Sequence, residues 1–253
     1  MRNFIVTLFM SLFLACSCAH IESNDGADVR FANESIVSVD QHVRGDRITP
    51  NPDGGINIEP DAGSGGAIGT GVVIDVIGGE SLVATVGHVA HKKDLLDGQE
   101  DTPSLLRVTS SVLTIRTLAG QVCPAEEIFF SEKEDLSILR VKCIAGTPMP
   151  LATSLPPMGS EVIVSGAALG LHPDGIFIPV DGRYVGNLKE RGLGYAVTNP
   201  VAVGHSGSPV IHNGKVIGIL KSHRLDWEHL SFFVPLDILN SGITAARKTW
   251  NAH

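Results

Sequence analysis

Aromatic side chains are scarce in this 253-residue chain, at 5%, with two tryptophans, two tyrosines and nine phenylalanines. Basic residues are in deficit, 19 Lys and Arg against 27 Asp and Glu, for a formal charge of −8. Neutralising phosphates requires clustered Lys and Arg, and no basic stripe is present, so general nucleic-acid binding is excluded. Beyond the first twenty residues no apolar run is long enough to cross a bilayer, so no transmembrane segment is expected. Cysteine is sparse, with four residues, and no Cys-x-x-Cys pair offers a zinc site. The glycine-rich run 63–71 lacks both the Gly-x-Gly-x-x-Gly pattern and a phosphate-binding lysine, and it precedes a strand rather than opening a helix. A nucleotide loop is thereby excluded. His205, His212 and His223 have neither ligand spacing nor an obvious carboxylate partner, so neither a metal nor a cofactor is expected. No internal repeat is visible.

What is present suits a folded β protein. Hydrophobic residues make up 43% and charged residues 18% of the chain, and glycine is abundant at 28. Short apolar runs are separated by Gly, Pro, Asn and Asp, which points to strands rather than helices. Strands are expected at 70–77, 81–86, 105–108, 112–118, 127–130 and 136–141. After Pro148 and Pro156-Pro157 a second series follows at 161–165, 176–180, 194–198, 209–211, 216–220 and 231–234. Leu236, Leu239, Ile243 and Ala246 have helical spacing, placing a terminal helix over about 236–250. Two strand series divided by a proline-rich joint imply an all-β fold of two antiparallel barrels, about 67–150 and 155–235, within a domain spanning 67–250. Closure would remove exposed sheet edges. Residues 20–66, dense in turn formers at 51–55 and 60–66, read as a linker or flexible N-terminal arm.

Residues 1–19 read as an export signal, with Arg2 followed by an apolar core of about a dozen residues that is too short to span a bilayer. Two processing routes stay open. Ser17-Cys18-Ala19 offers small residues for signal peptidase, giving a secreted or periplasmic protein. Phe13-Leu14-Ala15-Cys16 resembles a lipobox, which would leave Cys16 as a lipid anchor to the envelope. Cys123 and Cys143 remain in the body and in an exported chain read as one disulfide, the alternative being two buried thiols.

Three short motifs carry chemistry. Gly204-His205-Ser206-Gly207-Ser208-Pro209 places a serine among glycines that let the backbone turn, so that the N–H groups of Gly204 and Ser206 could point at one spot. In Ala84-Thr85-Val86-Gly87-His88-Val89, a histidine stands directly after an apolar strand. There one ring nitrogen can face a serine and the other a carboxylate. In Glu134-Asp135-Leu136-Ser137-Ile138-Leu139, an aspartate opens a strand and is well placed to accept an imidazole N–H.

Taken in chain order, His88, then Asp135, then Ser206, the motifs resemble those of trypsin-like serine peptidases of the chymotrypsin fold, in the compact bacterial form. Gly69-Thr70-Gly71-Val72-Val73-Ile74, Val216-Ile217-Gly218-Ile219 and Phe232-Phe233-Val234-Pro235 extend the resemblance over about 66–240. It implies an active site between two barrels, with His88, Asp135 and Ser206 as the catalytic triad and Gly204 and Ser206 as the oxyanion hole. It also implies a polypeptide substrate cleaved through an acyl-enzyme. His205 stands where digestive relatives carry an aspartate that pairs with a newly cut N-terminus, so that switch is expected to be absent and His205 to sit at the site's rim. Leu220 replaces the histidine of the glutamyl endopeptidase branch. By the same resemblance Pro200, Val201, Val203, Lys221, Ser222 and His223 are expected around the substrate pocket. With no peptide-binding domain following the helix, a monomer is expected. The competing reading is a catalytically inactive trypsin-fold binding module of the cell envelope.

Overall fold

The computed structural model describes residues 34–91, 95–97, 104–171, 176–188, 190, 194–224 and 227–251. The expected export signal, Cys16 and residues 20–33 therefore lie outside the described residues.

Six strands close the first barrel: β1 (Ile36–Pro50), β2 (Ile56–Ile77), β3 (Glu80–Thr85), β5 (Ser104–Thr117), β6 (Val122–Ser131) and β7 (Leu136–Val141). They run in the order β1-β2-β3-β7-β6-β5, and pairing of β5 back to β1 completes the ring. The short β4 (Leu95–Asp97) adds to β5 outside it. The second barrel closes in the order β10-β13-β12-β11-β8-β9. Its strands are β8 (Glu161–Gly166), β9 (Ile178–Asn187), β10 (Tyr195–Val197), β11 (Pro209–His212), β12 (Lys215–Arg224) and β13 (Trp227–Pro235). All the barrel pairings are antiparallel. The two-barrel, all-β architecture with a C-terminal helix agrees with the sequence expectation, although 105–108 and 112–118 form one strand rather than two.

The expectation of a loose arm over 20–66 is corrected from Ile36 onward. β1 lies between β2 and β5 and contributes Ile36, Val37 and Val39 to the barrel-one core. The turn formers at 51–55 are the tip of the β1–β2 hairpin, where Asn51 N–H donates to the Gly55 carbonyl (2.8 Å). The glycines that imitate a linker lie where β2 crosses its neighbours closely; a Cβ on Gly66 would overlap the Gln41 carbonyl. Such glycines abolish the apolar alternation by which a strand is read.

The helix, labelled α2 (Leu236–Trp250), buries Leu236, Leu239, Gly242, Ile243, Ala246 and Trp250 along one face. That face covers barrel one: a side chain at Gly242 would strike Leu136 (2.8 Å) and Phe129 (3.0 Å). Arg247 pairs with Asp75 (2.6 Å), and the Arg140 guanidinium lies 4.8 Å from the Trp250 ring centre. A helix that follows barrel two thus locks onto barrel one. The proline-rich joint is ordered as well. Met149 N–H donates to Val73 of the first barrel, and Ala152 N–H to Val216 of the second (2.8 and 2.9 Å). Cys123 and Cys143 form the expected disulfide, bridging β6 to the segment after β7.

Each large apolar side chain fully buried contributes about 1.5–3 kcal/mol, so β1 cannot be dispensable. A chain begun at Gly66 is expected to show no cooperative urea transition by circular dichroism, whereas one begun at Glu34 unfolds cooperatively. Cooperative unfolding of the shorter chain would return residues 36–66 to the status of an arm.

Candidate active site

Strand register brings the first two motifs together. Thr85 at the end of β3 pairs with Ser137 near the start of β7, so the residues just beyond these positions share one end of barrel one. A single helical turn, α1 (Gly87–Ala90), follows β3 and carries His88. Asp135 precedes β7 in the left-handed region, at φ 54°, a conformation that Asp tolerates better than most residues. This turn directs both its carbonyl and its carboxylate at α1. The Asp135 carbonyl accepts from Gly87 N–H (3.1 Å), Oδ1 accepts from His88 N–H (2.8 Å) and Oδ2 accepts from the His88 ring at Nδ1 (2.8 Å). With Nδ1–H so engaged, Nε2 is left as the basic nitrogen. Burial alone would raise the Asp135 carboxyl, but the hydrogen bonds and charge of His88, with a contribution from Lys221, hold it below the ordinary carboxylate value.

A second pair braces the same turn. His91 Nδ1 lies 2.7 Å from Glu127 Oε2, its ring stacks on Phe130 at 3.6 Å, and the Ser137 hydroxyl donates to the other Glu127 oxygen. A cavity of about 250 Å³ is lined by Gly87, His88, His91, Phe130, Glu132 and Asp135. Sequence reasoning missed this brace. Its one signal is the closeness of His91 to His88, three residues on and just past the end of α1.

The third motif comes from barrel two. Ser206 lies in the loop between β10 and β11 and is half-buried. Gly204 and Gly207 adopt φ +97° and +88°, a region in which any other residue would be strained. The loop reaches barrel one at Thr70, a fully buried residue of β2. Thr70 N–H donates to the Ser206 carbonyl (2.8 Å) and its hydroxyl donates to the Gly204 carbonyl (2.7 Å). Beside it, Gly69 is narrowed on two sides: a Cβ there would meet Val89 at 2.7 Å and the Ser206 carbonyl at 2.8 Å. Ser206 is therefore seated one residue's width from α1. Among the described residues no hydrogen bond joins the Ser206 hydroxyl to the His88 ring, so the His–Asp link is made and the Ser–His link is open.

His205 departs from expectation. It is not on the rim but 2% exposed. Its Nδ1 accepts Ala202 N–H (3.2 Å), and its Nε2 lies 3.2 Å from the Ile178 carbonyl, to which it donates in that tautomer. Burial holds the ring below the usual histidine pKa, against the opposing pull of the two backbone contacts. The motif alone gives no sign of this, because one of the ring's two partners, Ile178, comes from another strand.

The residues expected around a substrate pocket are spread more widely. Val203 is 80% exposed at the loop's edge, and Pro200 and Ser222 are exposed too. Val201 packs on the barrel-two core. Lys221 lines a small cavity with Glu134, Tyr195, Phe232, Phe233 and Ile238, and its charge favours ionised Asp135. His223 is in β12, but its side chain lies outside the described residues. Among the described residues no three His, Cys, Asp or Glu side chains are grouped to hold a metal ion.

Comparison with known proteins adds three findings. The trypsin-like peptidase domain family matches residues 69–219. The Rv3671c protease of M. tuberculosis in its active form superposes with a TM-score of 0.60 at 18% identity, covering 88% of this chain and 85% of that one. A serine endoprotease of Yersinia pestis superposes with a TM-score of 0.61 at 16% identity, covering 90% of this chain and 68% of that one. At these identities the likeness is one of fold. No curated protein matches the sequence significantly.

The lowered Asp135 carboxyl has a direction that can be tested. A carboxylate stabilised in the folded state adds stability above its unfolded value of about 3.9, and that contribution disappears as pH falls through the folded value. The urea midpoint of the native chain should exceed that of Asp135→Asn between pH 5 and 7, with the gap closing below about pH 4. A gap that widened on acidification would contradict the assignment.

Proposed function

The chain belongs to the trypsin-like peptidase family, and from that premise we propose that it is a serine endopeptidase of an exported compartment, with His88, Asp135 and Ser206 as its triad. The observation that carries this reading is the three-bond clasp of Asp135 on Gly87 and His88, which fixes the ring's tautomer and leaves Nε2 basic.

In the proposed reaction Ser206 Oγ attacks the scissile carbonyl while His88 Nε2 takes its proton. The ionised Asp135 balances the imidazolium that results. The tetrahedral oxygen accepts hydrogen bonds from the N–H groups of Gly204 and Ser206, donors of a kind whose loss costs about 10²–10³ in kcat. His88 then protonates the leaving amine, and the C–N bond breaks to leave an acyl-Ser206 ester. Water, deprotonated by His88, hydrolyses that ester and regenerates the hydroxyl. The open Ser–His link suits an unliganded site, since such bonds often tighten only when substrate is bound.

Export is supported by the amino-terminal sequence and by the Cys123–Cys143 disulfide, which belongs in an oxidising compartment. No helix among the described residues is long and apolar enough to cross a membrane. The polypeptide substrate and the monomeric state follow from the family reading, and free secretion and a lipid anchor at Cys16 are both compatible with it.

The same open Ser–His link is the observation that favours the second reading, an inactive binding module. A fluorophosphonate probe separates the two, because it labels only an activated serine. The oxidised native chain should be labelled and should cleave a fluorogenic peptide library, and Ser206→Ala should lose roughly 10⁴–10⁶ of that turnover. An unlabelled native chain would establish the binding module. Full activity in Ser206→Ala would remove the nucleophile assignment.

A further inference from the structure

Every backbone carbonyl from Val203 to Ser206 has a donor. Val203 C=O accepts Leu169 N–H (2.9 Å), Gly204 C=O accepts the Thr70 hydroxyl (2.7 Å), His205 C=O accepts Ser208 N–H (2.9 Å) and Ser206 C=O accepts Thr70 N–H (2.8 Å). His205 N–H donates to Ala202 (3.1 Å) and Gly207 N–H to Leu220 (2.8 Å). Among the described residues, the N–H groups of Gly204 and Ser206 are the two from Gly204 to Gly207 that have no acceptor. Unpaired N–H groups are costly when buried, and two in one turn mark a place built to receive an oxygen.

Two of the four carbonyls are held by one residue. Thr70 also accepts Ala167 N–H at its hydroxyl (2.9 Å), and its own carbonyl accepts the Thr85 hydroxyl (2.6 Å). Its four polar links therefore run to Gly204, Ser206, Ala167 and Thr85, across both barrels. A peptide plane turns as a unit, so the Gly204 N–H shares its plane with the Val203 carbonyl and the Ser206 N–H with the His205 carbonyl, while Thr70 holds the plane that follows each of these two donor residues. Releasing the Gly204 carbonyl would leave the following plane held only by the His205 N–H to Ala202 bond (3.1 Å), within a segment that already uses positive φ at Gly204 and Gly207. Gly204 would then be fixed firmly on one side only, and its N–H would lose its direction.

We propose that Thr70 is a positioning residue whose hydroxyl holds the Gly204 carbonyl, and through it the pair of unpaired N–H groups, in the orientation that receives the oxyanion. This rests on the endopeptidase reading above. Thr70 does not touch the reacting atoms; it acts through the loop. Its effect therefore belongs in kcat and not in KM, because a tetrahedral oxygen makes its strongest demand on these donors in the transition state.

The test uses Thr70→Val, which keeps shape and loses the hydroxyl, and Thr70→Ser, which restores it. Both are measured beside the native chain and Ser206→Ala on the library peptide that the native enzyme cleaves fastest. Thr70→Val should lose about 10² in kcat, comparable to removing one oxyanion donor, with KM within about threefold and slower fluorophosphonate labelling. Thr70→Ser should recover kcat to within about fivefold of native. Native kcat in Thr70→Val, or equal damage in both variants, would overturn the proposal. If Thr70→Val does not fold by circular dichroism, Thr85→Val decides. It releases the Thr70 carbonyl and should lower kcat less but in the same direction; an unchanged kcat would overturn the proposal. An active Ser206→Ala would instead defeat the endopeptidase reading, whereas an inactive Ser206→Ala beside a fully active Thr70→Val defeats this inference alone.

Discussion

Two closed barrels leave no strand edge by which one could extend the other, so what spans them is apolar packing, in which Ile211, Val216, Ile219 and Val234 of the second barrel join the core of the first, and single hydrogen bonds between loops and strand ends. The principal seam is at Thr70, where β2 of the first barrel binds the backbone of Gly204 and Ser206 from the second. Everything proposed for the site depends on it. His88 and Asp135 are set relative to each other within barrel one by the β3–β7 register. Ser206 is set relative to them by the shared apolar core and, locally, by this seam. Helix α2 and the joint at Met149 and Ala152 hold the barrels together elsewhere, but neither touches the serine loop. A small buried threonine thus ties the serine loop, by its N–H and its hydroxyl, to the barrel that carries the ring.

The sequence made legible those parts whose cause is local. Strands β3 and β7, the terminal helix and the disulfide partners were placed from apolar runs, helical spacing and a cysteine count. The three motifs were found because each couples a reactive side chain to a turn or strand end. What was lost has a non-local cause. Gly63 and Gly66 read as part of a linker, yet a Cβ on either would strike Leu106 or Gln41 of a neighbouring strand, a pressure visible only after pairing. Ile36, Val37 and Val39 were an apolar string in plain view, hidden by the company of 51–55. Thr70 belonged to a quoted motif as a strand residue, but no local pattern shows that its hydroxyl faces the other barrel. His205 was placed at the rim by analogy with an aspartate position, and its ring instead turns inward to Ala202 and Ile178.

The inward turn of His205 also separates the two histidines chemically. His88 is half-exposed, with a carboxylate on one nitrogen and the other nitrogen basic. His205 has backbone on both sides and no counter-charge, so burial favours its neutral form. Neighbouring Gly204 and Ser206 therefore sit beside a ring whose neutral form burial favours. In the proposed mechanism one histidine carries the proton, while the other is consumed in holding the turn.

Charge around Asp135 follows a similar division. Its carboxylate answers to His88 at 2.8 Å and, less strongly, to Lys221 on β12. Both favour its ionised form against the burial that would raise it. The His–Asp contact is direct and partly buried, whereas Lys221 is half-exposed, and water weakens the reach of an exposed charge more than it weakens a hydrogen-bonded pair. In the proposed reaction the partner that balances the ring is therefore Asp135, while Lys221, on a strand of the second barrel, adds to the ionisation of that carboxylate from the cleft's other wall.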